Sequence, residues 1–335
     1  MPNVTIQGNS AQHTDYWAGS ALSEEQSLAA ITQLKHRYPS KYPIKEEDME
    51  PQVPMEGFTF GCDPELFIFN PDGEPVSAEG IIPGCKHNPY KVDKGAVQLD
   101  GTAAEFNIDP AATFAEFDDN ITTVLKQLKG FLPKGFTMKA VPSVTFSEAE
   151  WDKISDEAKE LGCMPDFNAW QGDLNPPPDP MANPRTRCAG GHLHVGWTND
   201  ADLTDISHIM NGRDLVKQLD YYLGVWSLQR DNDPTRRSLY GKAGACRFKP
   251  YGVEYRVLSN FWIMTKTQRL AVWNRMNQAI KDMRKSFFPD ARMKGLTKYN
   301  FNEAVIQSIN HSVRDPNLEK AFRFPISTID TNYRR

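Results

Sequence analysis

The sequence has few cysteines and no Cys-x-x-Cys pair. The five cysteines are scattered over 335 residues, at positions 62, 85, 163, 188 and 246. A disulfide framework or a zinc ribbon needs closely spaced pairs, so we expect neither. No apolar run approaches the about 20 residues that span a bilayer, and residues 1–15 lack the basic-then-apolar pattern of a signal peptide. These absences predict a reduced, cytoplasmic chain with no membrane partner.

The chain also lacks an excess of positive charge. Lys and Arg total 38 and Asp and Glu total 43, so the formal net charge is −5 and no nucleic-acid partner is expected. Neither Gly-x-x-x-x-Gly-Lys-Ser/Thr nor Gly-x-Gly-x-x-Gly occurs, which excludes two common routes to nucleotide binding. The 39% hydrophobic residues and 18 Phe are instead typical of a folded chain, which at this length can bury a large core.

The prolines divide the chain into regions. Residues 1–55 are expected to form an N-terminal arm, partly helical or irregular, with one helix from Ser23 to about His36 before several prolines. Residues 56–335 are expected to form the main domain. Within it, the proline-rich segment 163–189 predicts a long loop of the kind that often acts as a lid or binding loop, and 264–335 is mostly helical in pattern.

Strands and helices are mixed without β-α-β alternation. The alternation of apolar and polar residues predicts a strand that begins at Gly57. Pro64 is expected to lie at a sheet edge or in a bulge, and the Asn-Pro-Asp-Gly sequence at 70–73 is expected to form the turn of a hairpin. Further strands are predicted at 96–108, 190–197 and 245–260, and helices at 112–129, 147–161 and 202–230. This order favours an α+β fold with a largely antiparallel sheet.

Four predicted strands share an unusual face. Residues i and i+2 of a strand point to the same side of the sheet. The polar side chains that share a side in this way are Asp63 with Glu65, Glu105 with Asn107 and Asp109, His192 with His194, and Glu254 with Arg256. The residues between them are apolar, as one face of a sheet on a core requires. Acids with one or two imidazoles suit Mg²⁺ or Mn²⁺ better than a structural zinc ion. A zinc hydrolase that uses the His-x-His strand remains an alternative at this point.

A basic segment accompanies the last of these strands. Residues 236–256 contain one acid, Glu254, and six cations: Arg236, Arg237, Lys242, Arg247, Lys249 and Arg256. Such a segment is either a solvated loop or a set of phosphate-binding groups. Beside a carboxylate-lined metal site, the phosphates of a metal–nucleotide complex explain the cations most simply.

These motifs, in this order, resemble the glutamine synthetase / glutamate–cysteine ligase superfamily, and within it the phage-type carboxylate–amine ligases (COOH–NH2 ligase type 2). The segments that carry the resemblance are GCDPELFIF, LDGTAAEFNIDPA, RCAGGHLHVGW and RRSLYGKAGACRFKPYGVEYRVLSNFW, between residues 57 and 262. The resemblance implies that 56–335 is a glutamine-synthetase-like catalytic domain. Its sheet would be curved and mainly antiparallel, with helices packed on the outer face.

The resemblance also implies roles for individual residues. The metal ligands would be Asp63, Glu65, Glu105, His192 and Glu254, although Asp63 stands where the family usually has Glu. The catalytic residues would be Arg256, Arg247 and His194, facing phosphate or an acyl phosphate. The nucleotide would contact Arg237, Lys242, Arg247, Lys249 and His194. The implied cofactors are ATP and Mg²⁺ or Mn²⁺.

The implied reaction is ATP-dependent formation of an amide or peptide bond through an acyl phosphate. Its partners would be a small-molecule or peptide carboxylate and an amine, in the host cytoplasm if the chain is phage-encoded, and a homo-oligomer is compatible with the sequence. Two alternatives remain besides the ligase. One is the zinc-dependent hydrolase, and the other is a non-enzymatic phage structural protein whose acidic face is only solvated.

Overall fold

The structure is a computed structural model that describes residues 51–52, 55–160, 165–177, 184–231, 233–284, 301–316 and 318. The expected N-terminal arm and its helix from Ser23 to His36 lie almost entirely outside the described residues. So do parts of the expected long loop and of the helical C-terminal region. Within the described ranges, no helix combines the length and the apolar character needed to cross a membrane.

One open antiparallel sheet organises the described residues. Its strands are β1 (Thr59–Phe69), β2 (Pro75–Val76), β3 (Tyr90–Val92), β4 (Gly95–Asp100), β5 (Ala103–Ile108), β6 (Thr137–Lys139), β8 (Phe167–Asn168), β9 (Asp173–Leu174), β11 (Gly191–Gly196), β12 (Ala245–Lys249) and β13 (Gly252–Tyr255). The order is β3-β4-β5-β1-β11-β13-β12-β8-β9, and β2 and β6 also pair with β1. Strands β7 (Ser143–Thr145) and β10 (Thr186–Cys188) form a second, two-stranded sheet.

Helices occur between and after the strands along the sequence. They are α1 (Phe114–Gly130), α2 (Glu148–Trp151), α3 (Asp156–Lys159), α4 (Ile206–Leu219), α5 (Val225–Ser227), α6 (Pro234–Leu239), α7 (Lys266–Arg284) and α8 (Phe301–His311). Helix α1 begins at a capping box, in which Thr113 Oγ1 accepts from Glu116 N and the Glu116 carboxylate accepts from Thr113 N. A π-helical segment, Asp220–Gly224, continues α4, and a 3₁₀ turn covers Asn260–Trp262.

The apolar faces of the strands and helices form one main core. In β5, Phe106 and Ile108 are buried, while Asn107 between them and Glu105 before them are partly open, as the alternating pattern predicts. Helix α1 contacts β4 and β5, and α4 contacts β12 and β13. The α+β class with an antiparallel sheet is therefore confirmed for the described residues.

Three local expectations are corrected. The stretch 96–108 is a hairpin, β4–β5, because Gly101 turns the chain with a φ of 55° that favours glycine. The helix expected over 147–161 is two short helices, since Ser155 starts a second one as its N-cap. The long loop expected at 163–189 contains β8, β9 and β10, because its backbone pairs with β12 and β7.

The expectation for Pro64 is also corrected, because β1 is an interior strand. It pairs with β11 from Thr59 to Pro64, and its register with β5 begins at Glu65. Pro64 therefore lies where the strand passes from one neighbour to the other, and a proline without an N–H group fits there. The hairpin predicted at the Asn-Pro-Asp-Gly turn is confirmed by the pairing of β1 with β2.

A buried acid joins the π-helical segment to the sheet. Asp220 is fully buried and accepts hydrogen bonds from Trp170 Nε1 at 2.5 Å, Tyr255 Oη at 2.7 Å and Gly244 N at 2.7 Å. Trp170 lies in the β8–β9 turn, Gly244 precedes β12, and Tyr255 is in β13. One carboxylate thus ties three sheet elements to the helix.

We expect Phe117→Ala to lower the free energy of unfolding by about 3–5 kcal/mol, because removal of a buried aromatic ring leaves a cavity. Phe117 is fully buried and packs on Trp262 and Trp273, with ring centroids 6.1 and 5.5 Å away. Equilibrium urea unfolding measures the loss. Phe131→Ala is the control, since Phe131 is only partly buried at the end of α1. Equal losses in both variants would contradict this description of the core.

We expect Asp220 to make stability depend on pH. Burial raises the pKa of Asp220 from 3.8 to about 7. An acid with a raised pKa in the folded state adds stability below its unfolded pKa, and that contribution disappears as the pH rises through the folded pKa. The unfolding free energy of the wild type relative to Asp220→Asn should therefore fall between about pH 4 and pH 7 and then level off. Urea unfolding across this range tests it, and a constant or rising difference would refute it.

Candidate functional site

The order of the central strands brings the predicted site residues onto one face of the sheet. The strands β5, β1, β11, β13 and β12 are consecutive neighbours. In their register, Glu65 of β1 lies opposite Glu105 of β5, and Asp63 lies opposite His192 of β11. The face continues across the next two strands, where Glu254 of β13 lies opposite both His194 and Arg247.

A cavity of about 610 Å³ opens over this face. Eight of the predicted site residues line it: Asp63, Glu65, Glu105, His192, His194, Arg247, Lys249 and Arg256. Glu254 is fully buried and contacts the lining side chains from within the sheet. The cavity thus brings together the acids, the imidazoles and part of the basic segment.

Three side chains form a compact group of metal-ligating type. One ligand atom each from Asp63, His194 and Glu254 lie within 4.8 Å of one another. His194 Nε2 is 2.9 Å from Asp63 Oδ1, yet both atoms, like Glu254 Oε2, are buried without a hydrogen bond of good geometry. Two carboxylates and an imidazole this close together are donor types that bind divalent cations, so this donor set fits such an ion.

The other predicted ligands lie on the same face but outside that group. Glu105 Oε2 accepts from Gln98 Nε2 at 2.8 Å, and Glu65 Oε2 accepts from the backbone N–H of Gly190 at 2.9 Å. His192 is buried, and its Nδ1 lies 3.2 Å from an Arg256 nitrogen. The same His192 nitrogen also lies 3.4 Å from Asp63 Oδ1 and 3.6 Å from Glu254 Oε1, so both histidines adjoin the two acids, and His194 is the one that belongs to the compact group.

Gly190 allows His192 to take its position. A Cβ at residue 190 would lie 2.1 Å from His192 Nε2, far inside van der Waals contact. Gly190 thus has a steric reason, since the His192 ring packs on its bare backbone.

The acids of the face differ in their affinity for protons. Burial and then the charge of Asp63 raise the pKa of Glu105 well above its ordinary value, and burial also raises the pKa of Glu65. Burial acts in the same direction on Asp63, but His194 and His192 hold its pKa well below the ordinary value. Glu254, despite its burial, has a pKa lowered to about 2 by Arg256 and the two histidines. A divalent cation would relieve the repulsion among these carboxylates.

Cationic side chains lie next to the metal-ligating group. Lys249 Nζ is 2.9 Å from Glu254 Oε2, and Arg247 reaches the same oxygen at 3.9 Å. Both side chains are about 28–29% exposed and line the cavity, so they are accessible to an anion. Arg256 is held more firmly, by an ion pair with Glu254 and by Asp166 Oδ1 at 2.7 Å from its Nε.

The other two predicted nucleotide contacts lie away from the cavity. Arg237 is buried inside the protein, where it donates to Gly241 O and to Ser227 Oγ, each at 2.9 Å. Lys242 is partly buried and does not line the cavity. Of the cations in the basic segment, Arg247, Lys249 and Arg256 therefore lie at the site. Arg237 instead lies in the interior, where it donates a hydrogen bond to a backbone carbonyl.

Three further residues of the site have no signal in the sequence patterns. Asp166 binds Arg256, Tyr251 hydrogen-bonds His194 Nδ1, and Gln98 donates to Glu105. Asp166 lies in the segment that was expected to be a loop, and Tyr251 lies in the turn between β12 and β13. Only the strand register, which the sequence does not specify, brings Gln98 next to Glu105.

Comparison with solved structures finds distant likenesses. The bifunctional glutathione synthetase from Pasteurella multocida superposes with a TM-score of 0.43 and 12% sequence identity. The alignment covers 81% of this chain and 46% of that protein, so the chain spans less than half of its length. No curated protein matches the sequence.

A protein-family model matches part of the sequence. The model of the phage phiEco32-like COOH.NH2 ligase-type 2 matches residues 183–307. That segment includes both histidines of β11 and all the site residues of β12 and β13. Residues 183–307 are therefore similar to the phage phiEco32-like carboxylate–amine ligases of type 2, the family that the motifs resemble.

Proposed function

We propose that the chain is an ATP- and Mg²⁺-dependent carboxylate–amine ligase that acts through an acyl phosphate. The observation that carries this proposal is the cavity lined by Asp63, His194, Arg247 and Lys249, with Glu254 buried beneath them and in contact with both cations. Cation-binding oxygens beside phosphate-binding cations suit a metal–nucleotide complex. The family match over 183–307 supports a ligase.

The chemistry explains why both kinds of group are needed. A carboxylate reacts poorly with an amine, so its oxygen first attacks the γ-phosphorus of ATP and ADP leaves. The amine nitrogen then forms the C–N bond, the C–O bond to phosphate breaks, and phosphate leaves with the electron pair while the surplus protons of the amine pass to water. A bound divalent cation supplies charge neutralisation for the phosphates.

The side chains of this chain have separate tasks in that scheme. Asp63, His194 and Glu254 would hold one cation, and Glu65 and Glu105 extend the same anionic surface. Arg247 and Lys249 would bind phosphate oxygens, which offers them partners other than Glu254. Arg256 is a positioning residue, because it holds Glu254 and Asp166 in place.

We also propose a domain organisation for the chain. Residues 56–335 would form one glutamine-synthetase-like catalytic domain, preceded by the arm at 1–55. The substrates would be a small-molecule or peptide carboxylate and an amine. The protein would act in the cytoplasm, without a nucleic-acid partner, either alone or as a homo-oligomer.

We expect Glu254→Gln to reduce Mg²⁺-dependent ADP formation by at least about 100-fold, because it removes a buried negative charge from the cation site. Glu65→Gln and Glu105→Gln should also lower turnover. A coupled ADP assay with pooled carboxylates and amines measures the rates.

The matched control is Glu157→Gln, which makes the same change at an exposed position in α3. It should keep the wild-type rate. Normal turnover in all three site variants would contradict the proposed site, provided that their circular dichroism spectra match that of the wild type.

We expect Mg²⁺–ATP to stabilise the folded protein. A ligand at 100 times its dissociation constant adds about 2.7 kcal/mol to the unfolding free energy. Thermal unfolding with and without Mg²⁺–ATP measures this, and EDTA should remove the effect. Tightly bound stoichiometric zinc without a nucleotide effect would support the hydrolase instead. No response to any nucleotide or metal would favour a non-enzymatic structural protein.

A further inference from the structure

A second, smaller cavity adjoins the first. Its volume is about 60 Å³, enough for part of a small molecule. Four lining residues belong to both cavities: Glu65, Asp100, His192 and Arg256. A molecule in the smaller cavity would therefore reach the cation and phosphate site across this shared boundary.

Arg187 is the distinctive residue of the smaller cavity. It lines this cavity and not the larger one, and only 9% of it is exposed. Its Nη1 donates to Pro184 O at 3.0 Å and to Thr186 O at 2.8 Å, and its Nη2 donates to Lys159 O. The guanidinium carbon lies 4.5 Å from the centre of the Trp151 ring. These contacts fix the side chain in a single place.

Arg187 has no ion-pair partner in the described part of the chain, although Glu160 and Asp166 also line the smaller cavity. Among the described residues, no carboxylate lies within 4.0 Å of its guanidinium, and its Nε is buried without a hydrogen-bond partner. Of the other two lining arginines, Arg256 pairs with two acids. Arg236 donates to backbone carbonyls as Arg187 does, but its Nε is used, because it donates to Ala189 O at 3.0 Å. A buried cation with an unused N–H group fits a carboxylate on a ligand.

The boundary between the cavities carries two acids beside His192 and Arg256, and the charge of Arg256 is already paired with Asp166 and Glu254. Asp100, at the end of β4, lines both cavities, and its nearest cation is Lys86 at a distance of 4.0 Å. Glu65 lies at the same boundary. Two acids there repel a second carboxylate of a ligand and attract an ammonium group.

We propose that the smaller cavity binds a free amino acid as the amine acceptor, with its carboxylate on Arg187 and its amino group at Asp100. The inference deepens the proposed function and rests on it. The amino group would face the site where the acyl phosphate forms, and the carboxylate would be held away from activation. The enzyme would then add an amino acid to a carboxylate and form a peptide-type bond.

Saturation-transfer NMR with the common free amino acids, in the presence of Mg²⁺ and a non-hydrolysable ATP analogue, tests this directly. We expect at least one amino acid to bind the full chain. Its methyl ester, which lacks the carboxylate, and its N-acetyl form, which lacks the ammonium group, should each bind at least about tenfold more weakly, since each loses a charge-assisted contact. Equal binding of either analogue would overturn the assignment.

Variants locate the two contacts. Arg187→Met should weaken binding of the amino acid at least about tenfold and Asp100→Asn should weaken it by a smaller factor. The control is Arg185→Met, which removes the same charge two positions away at a residue that lines neither cavity. If Arg187→Met does not fold, Asp100→Asn and the analogue series on the wild type still decide the matter. Unchanged binding in folded Arg187→Met would refute the proposal.

Binding of Mg²⁺–ATP separates this inference from the proposed function. Calorimetric titration of the wild type should show ATP binding, and Arg187→Met should retain it within about twofold. Wild-type protein that binds ATP but no amino acid would overturn the acceptor site and leave the ligase proposal standing. Protein that does not bind ATP would overturn the ligase proposal itself.

Discussion

The confinement of like charges to one buried face is the constraint on which the rest of the structure depends. Glu65 and Glu105 lie directly opposite each other, and Asp63 is close enough to raise the pKa of Glu105. Carboxylates in that arrangement repel one another in the weakly screened interior. The interior strands, the buried Arg256 and the histidines of β11 hold them in place despite this repulsion.

The fold separates this polar face from an apolar one by the alternation of its strands. Each site strand presents its acids or imidazoles to the cavity and its apolar residues to the core, for example Phe106 and Ile108 behind Glu105. The helices α1 and α4 pack on the strands β4, β5, β12 and β13. The rigidity of the site thus comes from a well-packed core, which is the usual way in which a protein maintains strained electrostatics.

Alternation was sufficient to predict which side chains share a face. The pairs Asp63 with Glu65 and His192 with His194 follow from a period of two residues, and the structure places them accordingly. Strand order and register depend on contacts between distant segments, so the grouping of His194 with Asp63 and Glu254 did not follow from the sequence. For the same reason the sequence could not show which cations of the basic segment reach the site. Arg237 and Arg247 have the same side chain, and only the folded structure places Arg247 at the cavity and Arg237 in the interior.

The hydrogen bonds of Asp220 link the part of the chain around Trp170 to the strand that carries Glu254. Trp170 belongs to the turn after β8, and Tyr255 directly follows Glu254. A displacement of that turn would break a contact to the same carboxylate that anchors β13, so the two segments are mechanically coupled. Movement of the turn on its own would cost the hydrogen bond from Trp170 to the buried Asp220 carboxylate, so the turn is stabilised in its position beside the strand that carries Glu254.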